Sequence, residues 1–344
     1  MNILIVKFGA LGDVLRTTPV LSALRKRHPG CRITWITDPG SAEALSDHPL
    51  IDRLSVWGVD ASELLTSQSF DVAVNLDKDD GALDAVMSAR AASRVGFGRD
   101  AAGALCALDA NSDYALRLGQ DDELKFRTNK KTYQQICFEQ LGLHFAGEEY
   151  VFEPSDKDRQ EAREHLRGLG VSRDRLRIGL NTGSGSRFAG KRLPEGTLVD
   201  LGDRLQRQLN AQVLLLGGAD EIERNRSIAS KFRQAPVNTG AHPIRRFAAI
   251  VGECDAIVSG DTTAMHIALA VRTPVVAYFG STCAVEIDLY GRGRKVVSDL
   301  PCAPCYKKTC PIDDKEKCMK EITADKLFSE LKGLLDDAGR LPRS

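Results

Sequence analysis

Short apolar runs that break off at glycine or a small polar residue, each followed by residues at helical spacing, recur along both halves of this chain. Residues 3 to 6, Ile-Leu-Ile-Val, form an unbroken apolar run of the kind buried on both faces of a parallel sheet. The stretch "KFGALGDVLRTTP" follows, and Val14, Thr18, Leu21 and Leu24 then recur at helical spacing, which predicts strand, turn and helix. "RITWIT", a helical stretch over 41–47, "DRLSVW" and "FDVAVNL" continue the alternation. In the second half "LRIGLNTGSGS", "AQVLLLGGADE", "CDAIVSGDT" and "TPVVAYFGST" restart it, each an apolar strand ending in Gly with Ser, Thr, Asp or Glu. A chain with this grammar folds as α/β on parallel sheets, and two such domains facing one another would enclose a cleft. In open α/β sheets ligands collect at the carboxyl ends of the strands, where these small polar residues lie.

The 344 residues and 42% hydrophobic content suit two ordinary cores. We expect a first domain at 1–155, a second at 156–325 that includes a cysteine-bearing lobe at 300–320, and a C-terminal helix within 326–344. A helix is expected near 131–141 and a polar one at 156–168, whereas residues 99–130, rich in Gly, Asp and Asn, read as a loop-rich insertion without an assigned role. Lys plus Arg equals Asp plus Glu, 47 each, so no global field attracts nucleic acid. No secretory leader is evident, and no apolar run approaches the ~20 residues that cross a bilayer. A cytoplasmic protein without a membrane anchor is expected. In that compartment its nine cysteines are reduced and serve as packing residues, metal ligands or reactive groups.

Four stretches can carry chemistry. In "FGALGDV", Gly9 and Gly12 allow backbone angles that a Cβ would penalise, and Asp13 stands where an N-cap would. The dinucleotide-binding glycine spacing is not met, and a carboxylate would repel a phosphate, so beyond capping Asp13 is suited to accepting a proton. In "SGDTTAMHIALA", Asp261 is an expected N-cap, and Thr262 and Thr263 open a helix whose free N–H groups suit an anion. His266 follows one turn later; the plain alternative is a cap and a satisfied, half-buried histidine. In "NTGSGSRFAGKRLPEG" a Gly/Ser loop containing Ser184 follows a strand and brings Arg187, Lys191 and Arg192, which suits a diphosphate, although most such loops are ordinary solvated connections. No Walker pattern is present. Finally Cys302, Cys305, Cys310 and Cys318 give C-x2-C-x4-C-x7-C, a donor set that can close a structural zinc or iron site or remain four reduced thiols. Cysteines 31, 106, 137, 254 and 283 are scattered and read as packing residues.

Taken together, "ILIVKFGALGDVLRTTPVLSALRKRHP", "GKRLP", "LLLGGADE", "SGDTTAMHIALA", "TPVVAYFGST" and "CAPCYKKTC" resemble, in order, the lipopolysaccharide heptosyltransferases, glycosyltransferase family nine. The resemblance covers almost the whole chain and is weakest between 99 and 170. It implies the GT-B architecture of two Rossmann-like domains facing a cleft, with the acceptor on the N-terminal domain and an ADP-sugar mainly on the C-terminal one, and inverting transfer of a heptose or related sugar without a cofactor. It implies that Asp13 is the catalytic base. Ser184, Lys191, Arg192, Thr262 and Thr263 would face the diphosphate, Asp261 and His266 the sugar and phosphates, and Glu221, or Glu223 by a competing alignment, the ribose. Two positions depart from the family's usual pattern: Thr263 replaces the glycine of Asp-Thr-Gly, and Gly280-Ser281-Thr282 replaces Gly-Pro-Thr.

The acceptor implied is a glycolipid, the lipid A core, reached through peripheral contact with the inner membrane. Some protein-modifying relatives carry a cysteine-held iron lobe, so a protein acceptor is the alternative. A nucleotide-sugar epimerase of the same architecture, or a non-catalytic sugar-nucleotide binding protein, would use the C-terminal anion site without needing a base at Asp13.

Overall fold

The computed structural model describes residues 1–184 and 190–341. They divide into two compact units, Met1–Phe152 with Val285–Asp288, and Glu153–Ala284 with the chain from Leu289 onward. The brief return at 285–288 is tied to the first unit by a Tyr133 N–H donating to the Glu286 carbonyl at 2.9 Å, a connection that no sequence pattern announces.

The first unit is built on β1 (Asn2–Val6), β2 (Arg32–Thr37), β3 (Arg53–Val56), β4 (Ser69–Asn75), β5 (Arg90–Arg99) and β6 (Leu105–Ala107). Their order is β3-β2-β1-β4-β5-β6. All neighbours run parallel except β5 and β6, which pair antiparallel with Phe97 opposite Ala107. The apolar run of β1 is explained by its two faces. Ile3 and Ile5 pack with Val20, Leu21 and Leu24 of the helix Pro19–Arg27, while Leu4 and Val6 pack on the other face with Leu64, Leu65, Ala82 and Val86. Period-two alternation sends successive side chains to opposite cores, each full burial contributing roughly 1.5–3 kcal/mol.

The second unit carries β7 (Arg177–Asn181), β8 (Gln212–Leu216), β9 (Val237–Asn238), β10 (Ala256–Gly260), β11 (Val275–Phe279) and β12 (Gly293–Val297), all parallel, in the order β12-β11-β10-β7-β8-β9. Counted from its own first strand this is the same strand order as in the first sheet, with β12 parallel where β6 is antiparallel. The last helix, Ala324–Asp337, lies against the helix Glu195–Leu209 and against β10 to β12, and its Leu327, Leu331 and Leu335 enter the second unit's core. In each sheet the order reverses beside the first strand: between β1 and β4, and between β7 and β10. Ligand crevices of doubly wound sheets form at such reversals.

The segment 99–130 differs from the expected loop. β5 and β6 make a hairpin there, followed by the helix Asp113–Arg117 and a π-helical turn over Leu124–Thr128. Leu83, Phe97, Ala115, Leu118 and Ile136 give it a small core. Its elements are too short to display either hydrophobic period, so packing rather than local pattern specifies them. β9, two residues long, was invisible for the same reason, and β12, Gly-Arg-Lys-Val-Val, lacks a continuous apolar run.

Candidate active site

Both groups of candidate residues lie at the reversals. In the first unit, β1 leads through Lys7 and Gly9 into the short helix Leu11–Leu15. Gly9 has φ +94°, a left-handed value that excludes most side chains, and its N–H donates to Asp38 Oδ2 at 2.9 Å. Gly12 corrects the expectation: it is a buried residue of the helix and has no left-handed angle. Asp13 is likewise not the N-cap. Ala10 occupies that position, and Asp13 lies in the first turn with its N–H donating to the Ala10 carbonyl at 2.7 Å. Its carboxylate is 35% exposed and pairs with Arg16 at 2.8 Å. Arg16 stacks 3.8 Å from the centre of the Tyr133 ring, whose hydroxyl is 3.0 Å from Thr17 Oγ1. Asp13 is thus a part-exposed carboxylate held by a braced cation.

Sequence reasoning missed the groups beside it. Asp77, just after β4, accepts a hydrogen bond from buried Lys7 at 2.6 Å, and its other oxygen accepts the N–H groups of Lys78 and Asp79. A methyl group on Gly9 would sit 3.5 Å from Asp77 Oδ2 and 4.0 Å from Asp13 Oδ2, so the two carboxylates flank the bare glycine. Their signal in sequence was only their place after strands. Lys78 is turned inward, donating to the Ala115 carbonyl at 2.9 Å, and burial lowers its ammonium pKa to about 8.

In the second unit the candidates form one connected set. Asn181, at the end of β7, donates to the Gly183 carbonyl at 3.0 Å, Ser259 Oγ at 3.2 Å and Thr262 Oγ1 at 3.1 Å, tying β7 to β10. Thr262 is the N-cap of the helix Thr263–Ala270, and its side chain makes no capping bond because it is engaged with Asn181 and Ser259. Asp261 therefore precedes the cap rather than forming it. Lys191 Nζ donates to the Asp261 carbonyl at 3.1 Å and lies 3.7 Å from its carboxylate; His266 Nε2 lies 3.7 Å from the other carboxylate oxygen. His266 is buried, not half-buried.

Arg192 donates to Ser184 Oγ at 3.2 Å and approaches Glu221 at 3.7 Å. Glu221 accepts the Gly218 N–H at 3.0 Å, and its side chain occupies the space that β-carbons on Gly183 and Gly217 would need. Glu223, the competing acidic residue, instead points to an exposed Arg226. Arg224 was missed by sequence reasoning: it donates to the carbonyls of Thr182 and Leu193 and to Glu195, fastening the Lys191 segment to β7. Burial lowers the pKa of its guanidinium. Arg187 lies outside the described residues.

The comparisons decide the family. Residues 62–316 match the model of glycosyltransferase family 9 (heptosyltransferase). The chain belongs to glycosyltransferase family 9. As a member it is a glycosyltransferase of GT-B architecture. It is similar to lipopolysaccharide heptosyltransferase 1 of Pseudomonas aeruginosa, 27% identical over 342 residues that cover 93% of this chain and 90% of that one. The fold is similar to a family 9 glycosyltransferase from Veillonella parvula, with TM-score 0.77, 19% identity and coverage of 98% and 97%. It is also similar to E. coli ADP-heptose lps heptosyltransferase II, with TM-score 0.71, 18% identity and coverage of 98% and 100%. Among the described residues of this glycosyltransferase no helix is long and apolar enough to cross a membrane.

The four lobe cysteines are one exposed residue, Cys302, and three partly buried ones. Burial first, and then the neighbouring thiols of Cys305, Cys302 and Cys310, push the Cys318 thiol up to about 11. Among the described residues no three His, Cys, Asp or Glu side chains form a group that could hold a metal ion.

Proposed function

We propose that this glycosyltransferase moves a heptose or closely related sugar, with inversion, from an ADP-sugar to the lipopolysaccharide core. The observation that carries the reading is the joining of Lys191, Arg192, Ser184, Glu221, Asp261, Thr262 and His266 into one set at the β7/β10 reversal. Two cations and a helix start face one region there, which suits a diphosphate. Glu221, gripped between glycines, offers a carboxylate to the ribose hydroxyls. Asp261 and His266 hold the sugar end.

In the transfer step the acceptor hydroxyl oxygen forms a bond to the anomeric carbon as the bond from that carbon to the diphosphate oxygen breaks. Asp13 takes the hydroxyl proton, and ADP leaves with its added negative charge met by Lys191, Arg192 and the N–H groups at Thr262 and Thr263. Arg16 keeps the Asp13 carboxylate oriented. No metal has a part in this step. A structural zinc or iron on Cys302, Cys305, Cys310 and Cys318 rests on the donor set alone, because the thiols as placed do not converge on a metal position. The lipid acceptor brings the protein to the cytoplasmic face of the inner membrane, and a protein acceptor is the alternative substrate.

The test is a panel of nucleotide-sugars scored by thermal stabilisation, followed by transfer to lipopolysaccharide core acceptors with the stabilising donor. ADP-heptose should stabilise most, since the shift grows with ligand concentration over Kd. Asp13→Ala should lower kcat by about 10²–10⁴-fold with donor affinity kept. Epimerised donor without transfer, or retained turnover in Asp13→Ala, overturns the assignment.

A further inference from the structure

The cysteine-bearing lobe packs against Gly190 and the turn after β11. Cys318 and Met319 belong to the short helix Lys317–Lys320, and Met319 is buried in the second unit's core. A β-carbon on Gly280, just past β11, would lie 2.5 Å from Met319 Sδ, 3.0 Å from Cys318 Sγ and 3.3 Å from the Gly190 carbonyl oxygen. A β-carbon on Gly190 would lie 3.5 Å from Cys318 Sγ and 3.6 Å from Ser281 Cβ. The N–H groups of Cys305 and Tyr306 both donate to the Ser281 carbonyl, at 3.1 and 2.9 Å, and the Cys283 N–H donates to the Tyr306 hydroxyl at 3.1 Å. Ser281 Oγ in turn donates to the Gly190 carbonyl at 3.3 Å. The lobe therefore grips the turn after β11, and that turn grips Gly190.

Gly190 stands directly before Lys191, in a left-handed conformation at φ +65°. On its far side the Lys191 carbonyl comes within 3.0 Å of where a β-carbon on Gly260 would be, and its ammonium reaches Asp261. We propose that the cysteine-bearing lobe is a positioning element for the diphosphate side of the donor site, Cys318 and Met319 setting Lys191 through Gly190 and Gly280. This rests on the reading of Lys191 as a diphosphate ligand. Small shifts at such a point matter, because misplacing a binding group by about 1 Å costs transition-state and ligand contacts well beyond the displaced atom.

The experiment measures ADP affinity by calorimetry, donor KM, kcat and Tm on the full-length protein. Gly280→Ala drives a methyl into Met319 and Cys318, and should weaken ADP binding and raise donor KM about fivefold, and lower kcat as well, because Lys191 also meets the charge on the leaving diphosphate. Adding Met319→Ala removes the nearer of the two obstructing sulfurs and should return ADP affinity most of the way to that of Met319→Ala alone. The added cavity nevertheless lowers Tm further. That opposition between affinity and Tm is what a merely structural contact would not produce. If Gly280→Ala does not fold, Cys318→Ala, which removes the Gly190 contact without adding bulk, should weaken ADP binding about threefold. Wild-type ADP affinity in Gly280→Ala or Cys318→Ala, or a double variant whose affinity follows its Tm, overturns the proposal. If Lys191→Ala also binds ADP normally, the donor-site reading itself is wrong; if Lys191→Ala is weakened while the lobe variants are not, only the lobe's role is lost.

Discussion

At the scale of single residues, the proposed donor site is made of a few side chains whose partners are fixed by strand ends. Lys191 is held by the Asp261 carbonyl and lies near its carboxylate, so it is pre-aimed rather than swinging in solvent. Lys191→Ala should weaken ADP binding about tenfold or more, the usual consequence of losing a charge-assisted contact worth roughly 1.5–3 kcal/mol, measured by calorimetry. Lys78 carries a different signature. Its pKa is lowered from 10.5 to about 8 by burial, so the folded state disfavours the ammonium. Below about 8 both folded and unfolded chains are protonated and the cost is fully present; between about 8 and 10.5 the unfolded chain binds more protons, and stability rises with pH. Lys78→Met should therefore flatten the stability profile in that window, read by urea melts at stepped pH, and an unchanged profile would show the ammonium to be solvated.

At the scale of elements, the helix that opens at Thr262 leaves its first turn without a side-chain cap. The helices opened by Thr132 and Ser155 carry reciprocal capping boxes, whereas Thr262 lends its hydroxyl to Asn181 and Ser259 instead of the helix behind it. The segment 99–130 makes the complementary point. It was expected to be loop because it lacks either hydrophobic period, yet Phe97 buries its ring among Leu83, Ala115, Leu118 and Ile136. Leu118→Ala, inside the segment, should destabilise the protein by about 2–5 kcal/mol, seen as a lowered urea midpoint, whereas the same change in a true loop would cost little.

At the scale of the whole molecule, one strand order is used twice, and each copy offers its reversal point to different chemistry: a carboxylate beside Gly9 in the first unit, cations and a helix start in the second. The lobe adds a question that elemental analysis answers. Protein purified without added metal should contain one zinc or iron per chain if its four thiolates close on an ion in solution, and a value near zero would leave them as free thiols. The βα alternation, both sheets' central strands and the residues at their carboxyl ends were legible in the sequence, because continuous apolar runs followed by glycine and helical spacing are local patterns set by burial on two faces. Asp13, Lys191 and Asp261 could be picked out by their place after such strands. Tertiary structure alone decided the pairing of Lys7 with Asp77 beside Gly9, the fastening of the Leu193 carbonyl to β7 by Arg224, the packing of Glu221 into the space left by Gly183 and Gly217, and the packing of Cys318 and Met319 into the space a side chain on Gly280 would need. These partners are distant in sequence and share no period, so only the order in which parallel strands are laid side by side determines which of them meet.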